Sequence, residues 1–163
     1  MIQTYIGLGS NLGDRIAKLN SAISKVNLTI GEVTKCSSFY ESEPWGFEST
    51  EQFVNCVIQI QTNLSPNELL AQLKEIEREM GRNQRISMIY TDRVIDLDIL
   101  YYGEERMEFD CLSIPHPRIY DRRFVLEPFA EIAPKWLDIT KGKTINELLK
   151  SCQDTSMLKK IVS

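Results

Sequence analysis

"YTDRVIDLDILYYG", residues 90–103, has the make-up of a buried β-strand that carries two carboxylates in its middle. Ile95, Leu97 and Ile99 alternate there with Asp96 and Asp98. Residues two apart in a strand point to the same face of a sheet. The stretch therefore predicts a strand whose two carboxylates project together from one face, while its apolar side chains enter the core on the other face.

The acidic pair needs a source of positive charge. Two neighbouring ionised carboxylates repel each other, and removing them from water is costly. An arginine partner on a solvated strand face would offset this cost, and so would a divalent cation. Mg²⁺ takes one or two protein carboxylates and completes its coordination with waters and substrate phosphates. Spacing alone leaves both interpretations of Asp96 and Asp98 open, because D-x-D is a common motif.

Arginine is concentrated around the acidic strand. Eight of the nine arginines lie in the span 78–123, at positions 78, 82, 85, 93, 106, 118, 122 and 123, although the net charge of the chain is −4. The guanidinium group binds phosphate oxygens in a bidentate way and never loses its charge. Carboxylates suited to a metal and arginines suited to phosphates together indicate nucleotide chemistry.

A glycine motif near the N-terminus matches neither common phosphate-binding loop. Residues 7–13, "GLGSNLG", have the spacing G-x-G-x-x-x-G, one residue longer than the dinucleotide fingerprint, and no G-x-x-x-x-G-K-[ST] is present. Gly9, Ser10 and Asn11 instead predict a strand-to-helix turn, in which glycine permits tight geometry and asparagine tolerates a left-handed backbone.

Five further side chains have two interpretations each. His116 is the only histidine and lies between two prolines, so it either supports a rigid turn or is held toward a ligand. Phe53, Asn55 and Phe124 fit a core, but two aromatic faces with an amide at the edge would also hold a flat heterocycle. Trp45 would cover such a ring or pin its own loop.

Apolar periodicity and capping residues predict the remaining elements. The predicted strands are 2–8, 33–40, 53–61 and 157–162, and the predicted helices are 15–27, 66–80 and 122–131. Asp14, Ser65-Glu68 and Thr144-Glu147 are predicted helix caps, and Gly81 a helix end. The order β-α-β-β-α-β predicts an α+β protein with a ferredoxin-like core and an antiparallel sheet. A short hairpin is expected at Gly103.

Two predicted loops are unusually long. They cover 41–51 and 82–92, and loops of about a dozen residues in a compact domain are often lids or binding loops. We expect residues 41–51 and 82–93 to be mobile without ligand and to order over substrates.

Length and composition narrow the class of protein. With 163 residues, 42% apolar and 26% charged, the chain fits a single globular domain over 1–163. Its acidic balance argues against a nucleic-acid-binding surface. No leader and no run of 18 apolar residues is recognisable, which predicts a cytoplasmic protein without a membrane span. Cys36, Cys56, Cys111 and Cys152 are widely spaced and are predicted to be reduced, buried thiols.

These stretches together resemble the 6-hydroxymethyl-7,8-dihydropterin pyrophosphokinase family of folate biosynthesis. The matching segments run in the family's order over nearly the whole chain: "GLGSNLGDR" (7–15), "SSFYESEPWG" (37–46), "FVN" (53–55), "IEREMGR" (76–82), "DRVIDLDIL" (92–100), "IPHPR" (114–118) and "RRFVLEPFAEIAP" (122–134). The combination of D-L-D with the following P-H-P-R is specific, and the full series is more so.

The resemblance implies a reaction and a set of roles. The diphosphoryl group of ATP would pass to the pterin hydroxymethyl group and release AMP, with two Mg²⁺ ions, in a three-layer α/β/α fold. Asp96 and Asp98 would ligate the metals, and Arg82, Arg93, His116 and Arg122 would contact the ATP phosphates. The nucleotide pocket would be lined by Glu77, Ile99, Leu112 and Ser113, and the pterin would be held by Ser42, Trp45, Phe53, Asn55 and Phe124.

Two other classes of protein fit part of the pattern. A two-metal phosphohydrolase would use the same aspartates, and a ferredoxin-like binding module for a small ligand or RNA would need no catalysis. The RNA version is disfavoured by the acidic charge and by the absence of an aromatic-rich RNA-binding strand motif. For the kinase we expect ATP and a reduced pterin as partners, no nucleic acid, no membrane and no obligate protein partner, and hence a monomer.

Overall fold

The computed structural model describes residues 1–42, 52–81, 94–109 and 111–161. Its helices are α1 (Arg15–Thr29), α2 (Pro66–Glu79), α3 (Arg123–Ile132) and α4 (Ile145–Ser151). Its strands are β1 (Ile2–Ser10), β2 (Gly31–Cys36), β3 (Phe39–Ser42), β4 (Phe53–Thr62), β5 (Asp96–Tyr102), β6 (Met107–Phe109), β7 (Leu112–Ile114), β8 (Leu137–Asp138), β9 (Lys143–Thr144) and β10 (Lys159–Ile161). None of these helices combines the length and apolar character that a membrane crossing needs.

Six strands of the described chain form one antiparallel sheet. Their order is β10-β3-β4-β1-β5, and β2 pairs with β4 along the same edge as β3. The small ladders β6–β7 and β8–β9 stand apart from it. The predicted α+β class, ferredoxin-like core and antiparallel sheet are confirmed, and β10 confirms the predicted C-terminal strand.

The two faces of the sheet are covered by different helices, which confirms the three-layer arrangement. On one face, apolar side chains of α1 and α2 such as Leu19, Leu73 and Ile76 pack against the inward residues of β1, β4 and β5. On the other face, Phe129 of α3 and Leu148 of α4 pack on a second cluster. Beyond this second layer, Asp96 and Asp98 of β5 lie on the same face and are partly exposed.

The predicted helix caps are present. Asp14 accepts a hydrogen bond from the backbone of the first turn of α1. Ser65 and Glu68 form a reciprocal capping box at the start of α2, and Thr144 and Glu147 form another at α4. Each box satisfies backbone N–H groups that a helix start leaves unpaired. Gly81, just beyond α2, has the positive φ of +99° expected of a helix end.

The predicted strand 33–40 is two strands. Ser37 N donates to Val57 O at 2.9 Å, while the Ser37 hydroxyl, rather than a backbone carbonyl, accepts from Val57 N at 2.9 Å. The regular ladder is interrupted there, and the register shifts by one residue between the pairs Cys36–Ile58 and Tyr40–Asn55. A one-residue shift exchanges the faces to which side chains point, so Tyr40 comes to face α3.

The glycine motif does not form the predicted turn. Gly9 and Ser10 belong to β1 and pair with β4, because the ladder continues to the end of the strand. Asn11 has a negative φ, and Gly13 adopts the left-handed backbone instead, with φ of +69°. The interpretation of residues 9–11 as the turn was therefore wrong by a few residues, and Gly9 lies within the sheet.

Three smaller predictions also need correction. Gly103 makes a turn with φ of +52°, but the next strand, β6, pairs with β7 and not with β5. All four cysteines are free, as predicted, but of the four Cys56 alone is buried, because Cys36 and Cys111 are exposed and Cys152 is partly exposed. The predicted loop at 41–51 begins later, since β3 continues to Ser42. The expected mobility of 43–51 and 82–93 lies outside the described residues.

Candidate active site

The acidic strand has the two-faced character that its sequence predicts. Ile95, Leu97 and Ile99 are at most 4% exposed and belong to the core on the α1–α2 side. Asp96 and Asp98 are partly exposed on the opposite face, where the side chain of Asp98 is 35% exposed. The carboxylates therefore share one face of β5, at the part of the sheet that α3 leaves uncovered.

The register aligns this acidic pair with residues of three other strands. Asp96 lies opposite Gly9 on β1, Gly9 lies opposite Asn55 on β4, and Asn55 lies opposite Tyr40 on β3. Residues directly opposite in neighbouring strands point to the same face. The four positions form a single row across the sheet, with an amide on one side of Gly9 and a carboxylate on the other.

Gly9 gives the Asn55 amide its place in that row. A Cβ atom at Gly9 would lie 2.8 Å from Asn55 Oδ1, closer than real Cβ contacts allow. A Cβ at Gly7, two residues earlier on β1, would meet the Leu100 side chain at 3.4 Å, which is close to ordinary contact. Only glycine at position 9 therefore lets the amide lie over β1.

The Asn55 amide is also fixed from its other side. Asn55 Nδ2 donates to Ser42 Oγ at 2.7 Å, and both side chains are about 5% exposed or less. Phe53 lies opposite Ser42 at the last pair of the β3–β4 ladder and is partly exposed, as is Phe124 at the start of α3. An oriented amide with nearby partly exposed aromatic rings suits a flat heterocycle with hydrogen-bonding edges.

Groups from outside the sheet form hydrogen bonds with the backbone N–H and C=O groups on the outer edge of β5. Glu77 of α2, 6% exposed, accepts a hydrogen bond from Leu97 N at 3.0 Å, and His116 N donates to Leu100 O at 3.0 Å. An edge strand presents N–H and C=O groups that need partners when they are buried. Glu77 therefore holds the backbone between the two aspartates.

His116 is a neutral hydrogen-bond donor beside the acidic pair. Its Nδ1 accepts from Arg118 N at 3.1 Å, so the ring proton is assigned to Nε2, which lies 4.0 Å from Asp98 Oδ2. Burial, followed by the positive charge of Arg122, lowers the pKa of His116 to about 4. The imidazole is therefore uncharged at neutral pH and presents an N–H to the cleft.

Arg122 lies close to both His116 and the aromatic ring of Phe124. It is 7% exposed and forms the N-cap of α3, where its carbonyl accepts hydrogen bonds from the first turn. Its guanidinium carbon lies 5.6 Å from the centre of the Phe124 ring, a cation–π contact. A charge that cannot be lost is thus held next to both His116 and an aromatic ring.

The structure separates the remaining predicted site residues into three groups. Ile99 and Leu112 are buried in the core cluster on the α1–α2 side, 4% and 7% exposed. Ser113 is partly exposed on β7, which contacts β5. Trp45, Arg82 and Arg93 lie outside the described residues.

Sequence reasoning missed two residues of the site. Gly9 was assigned to a turn, although the spacing of Gly7 and Gly9 matches the two-residue spacing of the aspartates and could have indicated a shared face. Arg15 is the last residue of the motif "GLGSNLGDR". No local signal in the sequence indicates its partners, which are Glu41 and Gln52.

Comparisons with known proteins agree with this geometry. Residues 5–134 match the family model described as 7,8-dihydro-6-hydroxymethylpterin-pyrophosphokinase (HPPK). The 2-amino-4-hydroxy-6-hydroxymethyldihydropteridine pyrophosphokinase of Porphyromonas gingivalis is 41% identical over 139 residues, 84% of this chain and 94% of the relative. The proteins of the same name from Bacillus subtilis and Haemophilus influenzae are 45% identical over 129 residues (78% and 76% of the two chains) and 40% over 160 (98% of each).

Solved structures share the fold. A structure described as HPPK-DHPS in complex with substrates superposes with a TM-score of 0.74 at 14% identity, over 92% of this chain and 43% of that one. The wild-type HPPK-DHPS of Plasmodium falciparum with pteroate gives 0.75 at 15% identity, over 91% and 44%. This chain thus spans less than half the length of those two-part proteins.

Proposed function

The chain belongs to the 7,8-dihydro-6-hydroxymethylpterin-pyrophosphokinase family, and we propose that its reaction takes place on the uncovered part of the sheet, along the row from Asn55 to Asp96. The protein is an ATP-dependent pyrophosphokinase of folate biosynthesis. It transfers the diphosphoryl group of ATP to the hydroxymethyl group of the dihydropterin and releases AMP. The assignment of individual residues to this reaction is our proposal.

We propose that Asp96 and Asp98 hold Mg²⁺, as two ions. Both side chains offer hard oxygen donors on one face, and no group of three or more His, Cys, Asp or Glu able to hold a metal occurs among the described residues. A donor set of two carboxylates fits Mg²⁺, which draws its other ligands from water and phosphates. When bound, the metal would neutralise phosphate charge and polarise the phosphoryl group under attack.

The side chains around the aspartates would position the triphosphate. Arg122 offers a permanent positive charge, and the neutral His116 offers its Nε2–H without adding charge. Such preorganised donors stabilise charge that develops during phosphoryl transfer. In the same proposal Arg82 and Arg93 contact the phosphates, while Glu77, Ile99, Leu112 and Ser113 form the nucleotide side. The burial of Glu77 against β5 supports a role behind the nucleotide rather than in front of it.

The pterin would lie at the amide end of the row. Ser42 orients Asn55 for edge hydrogen bonds, Phe53 and Phe124 would stack on the ring, and Trp45 would complete the site. Neighbouring strands are about 4.8 Å apart, so Asn55 and Asp96, two strands apart, are separated by about 10 Å. The length of a pterin ring with its hydroxymethyl branch suits that span, so the hydroxyl would reach the phosphates. This register is the observation that carries the proposal.

The identity of the nucleotide product tests the reaction. Incubation with ATP, Mg²⁺ and 6-hydroxymethyl-7,8-dihydropterin should yield AMP and pterin diphosphate in equal amounts. A phosphohydrolase would release phosphate without pterin diphosphate, and a binding module would leave ATP intact. ADP as the nucleotide product would reject the proposal, and the same mixture without pterin supplies the control.

We also propose that residues 1–163 act as one domain, as a monomer, in the cytoplasm. Two core clusters on the two faces of a single sheet support one domain, and four free thiols fit a reducing compartment. Light scattering after size exclusion should give a mass near 18.8 kDa. A mass about twice that value would reject the monomer.

A further inference from the structure

Arg15, the first residue of α1, connects the two strands that end at the pterin side of the cleft. Its Nη1 donates to the carbonyl oxygen of Gln52 at 2.7 Å. Its Nη2 lies 3.1 Å from Glu41 Oε2. Glu41 immediately precedes Ser42 on β3, and Gln52 immediately precedes Phe53 on β4. One guanidinium group therefore contacts the neighbours of two residues that we assign to the pterin.

The pair that Arg15 supports closes the described part of its ladder. Within the described residues, Ser42 and Phe53 are the last pair between β3 and β4, and β3 covers Phe39–Ser42. The end of a short ladder opens easily, because few contacts hold it. Asn55 depends on this end, since its amide donates to Ser42 Oγ at 2.7 Å. A displacement of Ser42 would therefore also release the amide.

Arg15 lies on the face of the sheet opposite the proposed pterin site. Tyr40 and Ser42 face α3, so Glu41 between them faces the opposite layer, where α1 begins. The side chains of Arg15 and Glu41 are 29% and 24% exposed, so their contact is partly shielded from solvent. Arg15 thus does not need to touch the pterin in order to fix its binding wall.

We propose that Arg15 is a positioning residue for pterin binding, which holds Ser42, Phe53 and, through Ser42, Asn55 in the geometry that receives the ring. The proposal rests on the proposed assignment of these three residues to the pterin. The planar guanidinium fork can serve a carbonyl and a carboxylate at the same time, whereas the single ammonium of lysine cannot keep that geometry. The role therefore requires arginine and not merely positive charge.

Steady-state kinetics of three variants test the proposal. With saturating ATP and Mg²⁺, Arg15→Ala should raise the KM for the pterin by about tenfold or more, and the KM for ATP should stay within about twofold of wild type. Arg15→Lys should give an intermediate pterin KM. Glu41→Gln removes the ion pair but keeps the bond to Gln52, so a rise of about threefold is expected.

A merely structural role predicts a different result. It would lower the melting temperature or kcat and leave both KM values alone, or would raise both equally, and either outcome overturns the proposal. If Arg15→Ala does not fold, the pterin KM is measured for Arg15→Lys and Glu41→Gln instead. A pterin KM that is unchanged in both variants rejects the proposal. The wild-type AMP assay is done first, so failure of the reaction itself is distinguished from failure of Arg15.

Faster amide exchange supplies a readout independent of turnover. In the protein without substrates, Arg15→Ala should speed hydrogen exchange at the β3–β4 ladder end and leave exchange in the β1–β5 ladder unchanged. Unchanged exchange at Phe53 and its neighbours on β4 would contradict the mechanism.

Discussion

The face of the sheet that meets α3 has two halves built from the same strands, β1, β4 and β5. In the covered half, Tyr5 and Tyr101 pack on Phe129, with ring centroids 4.6 Å and 5.6 Å apart. In the uncovered half, nearer the C-terminal end of β1 and the N-terminal end of β5, Gly9 and Asp96 take the corresponding places. The β1–β4 ladder is continuous through both halves, whereas the register of the β1–β5 ladder shifts between Tyr5 and Ile6, where the two halves meet. Side-chain volume and polarity, together with this irregularity, distinguish the half that is core from the half that is site.

The aspartates Asp138 and Asp98 differ in a similar way. Asp138 is fully buried, yet its carboxylate accepts hydrogen bonds from Tyr101, from Tyr120 at 2.7 Å and from Lys141 N at 2.8 Å. Asp98 is instead 35% exposed on a face that opens to solvent. A buried carboxylate with three donors joins structural elements, whereas a partly exposed one next to a second carboxylate can be reached by a ligand from solvent.

The largest effect is expected from removing a carboxylate of the uncovered half. Asp98→Ala should abolish turnover, with a loss of at least about 10⁴-fold, equivalent to roughly 5 kcal/mol in transition-state stabilisation. Its melting temperature should remain close to that of wild type, because Asp98 lies outside both core clusters. Turnover and circular dichroism are measured on the same preparation. Activity retained at ordinary Mg²⁺ concentrations would remove Asp98 from the metal site.

A substitution in the covered half should lower the stability of the protein and not its activity. Phe129 is completely buried, and Phe129→Ala should lower the free energy of unfolding by about 3–5 kcal/mol, because it leaves a cavity under α3. Leu137→Ala, at a side chain that is 50% exposed, is the matched control and should cost less than about 0.5 kcal/mol. Urea unfolding measures both. A cost below about 1 kcal/mol for Phe129→Ala would show that α3 is not what closes this half.

A substitution at Gly9 is expected to affect pterin binding and to have a smaller effect than Asp98→Ala or Phe129→Ala. Gly9→Ala places a Cβ against the Asn55 amide, so the pterin KM should rise about tenfold, roughly 1.4 kcal/mol, with the ATP KM nearly unchanged. Gly7→Ala makes the same chemical change without touching Asn55, and its pterin KM should stay within about twofold. Equal effects of the two substitutions would reject the special role of position 9.

The smallest expected effect is the pH-dependent contribution of Glu131, which links α3 to β3, to the stability of the protein. Burial raises the pKa of Glu131, but hydrogen bonds from Tyr40 at 2.6 Å and from Ser38 N at 2.9 Å outweigh it, and the net pKa is lowered. A lowered folded-state pKa stabilises the protein above the unfolded-state value and loses that contribution as pH falls through the folded value.

Glu131→Gln measures that contribution. At pH 7 the variant should be less stable than wild type by about 1 kcal/mol, and the difference should shrink as pH falls below the ordinary glutamate range, near 4.5. Urea unfolding at pH 7 and at pH 3.5 supplies the comparison. A difference that does not change with pH would show that the charge of Glu131 is not involved.

Much of the fold follows from local sequence. The alternation around Asp96 predicts the two faces of β5, and helical spacing with caps at Asp14 and Ser65 predicts α1 and α2 within about two residues. These signals are reliable because they depend on neighbours within one turn or one strand. The strand at 33–40 was predicted as one element because the interruption arises from a hydrogen bond to Val57, about twenty residues away.

The residues of the site were less evenly predictable. Asp96, Asp98 and Asn55 are polar residues in apolar strands, and that contrast is visible in the sequence. The buried contact of Glu77 with Leu97 N and the double contact of Arg15 join elements that are distant in the chain. No pattern of spacing encodes such pairs, because their partners are fixed by how helices dock on the sheet.

The sequence by itself determined the class of fold, the acidic face of β5, the helix ends and the resemblance that indicated the reaction. Each of these depends on side-chain chemistry and on the fixed periods of helix and strand. Only the tertiary structure decided that Asn55, Gly9 and Asp96 form one row, because strand register arises from pairing between distant segments. A single-residue shift in that register would send Tyr40 and Ser42 to the opposite layer, and β3 would no longer contribute to the site.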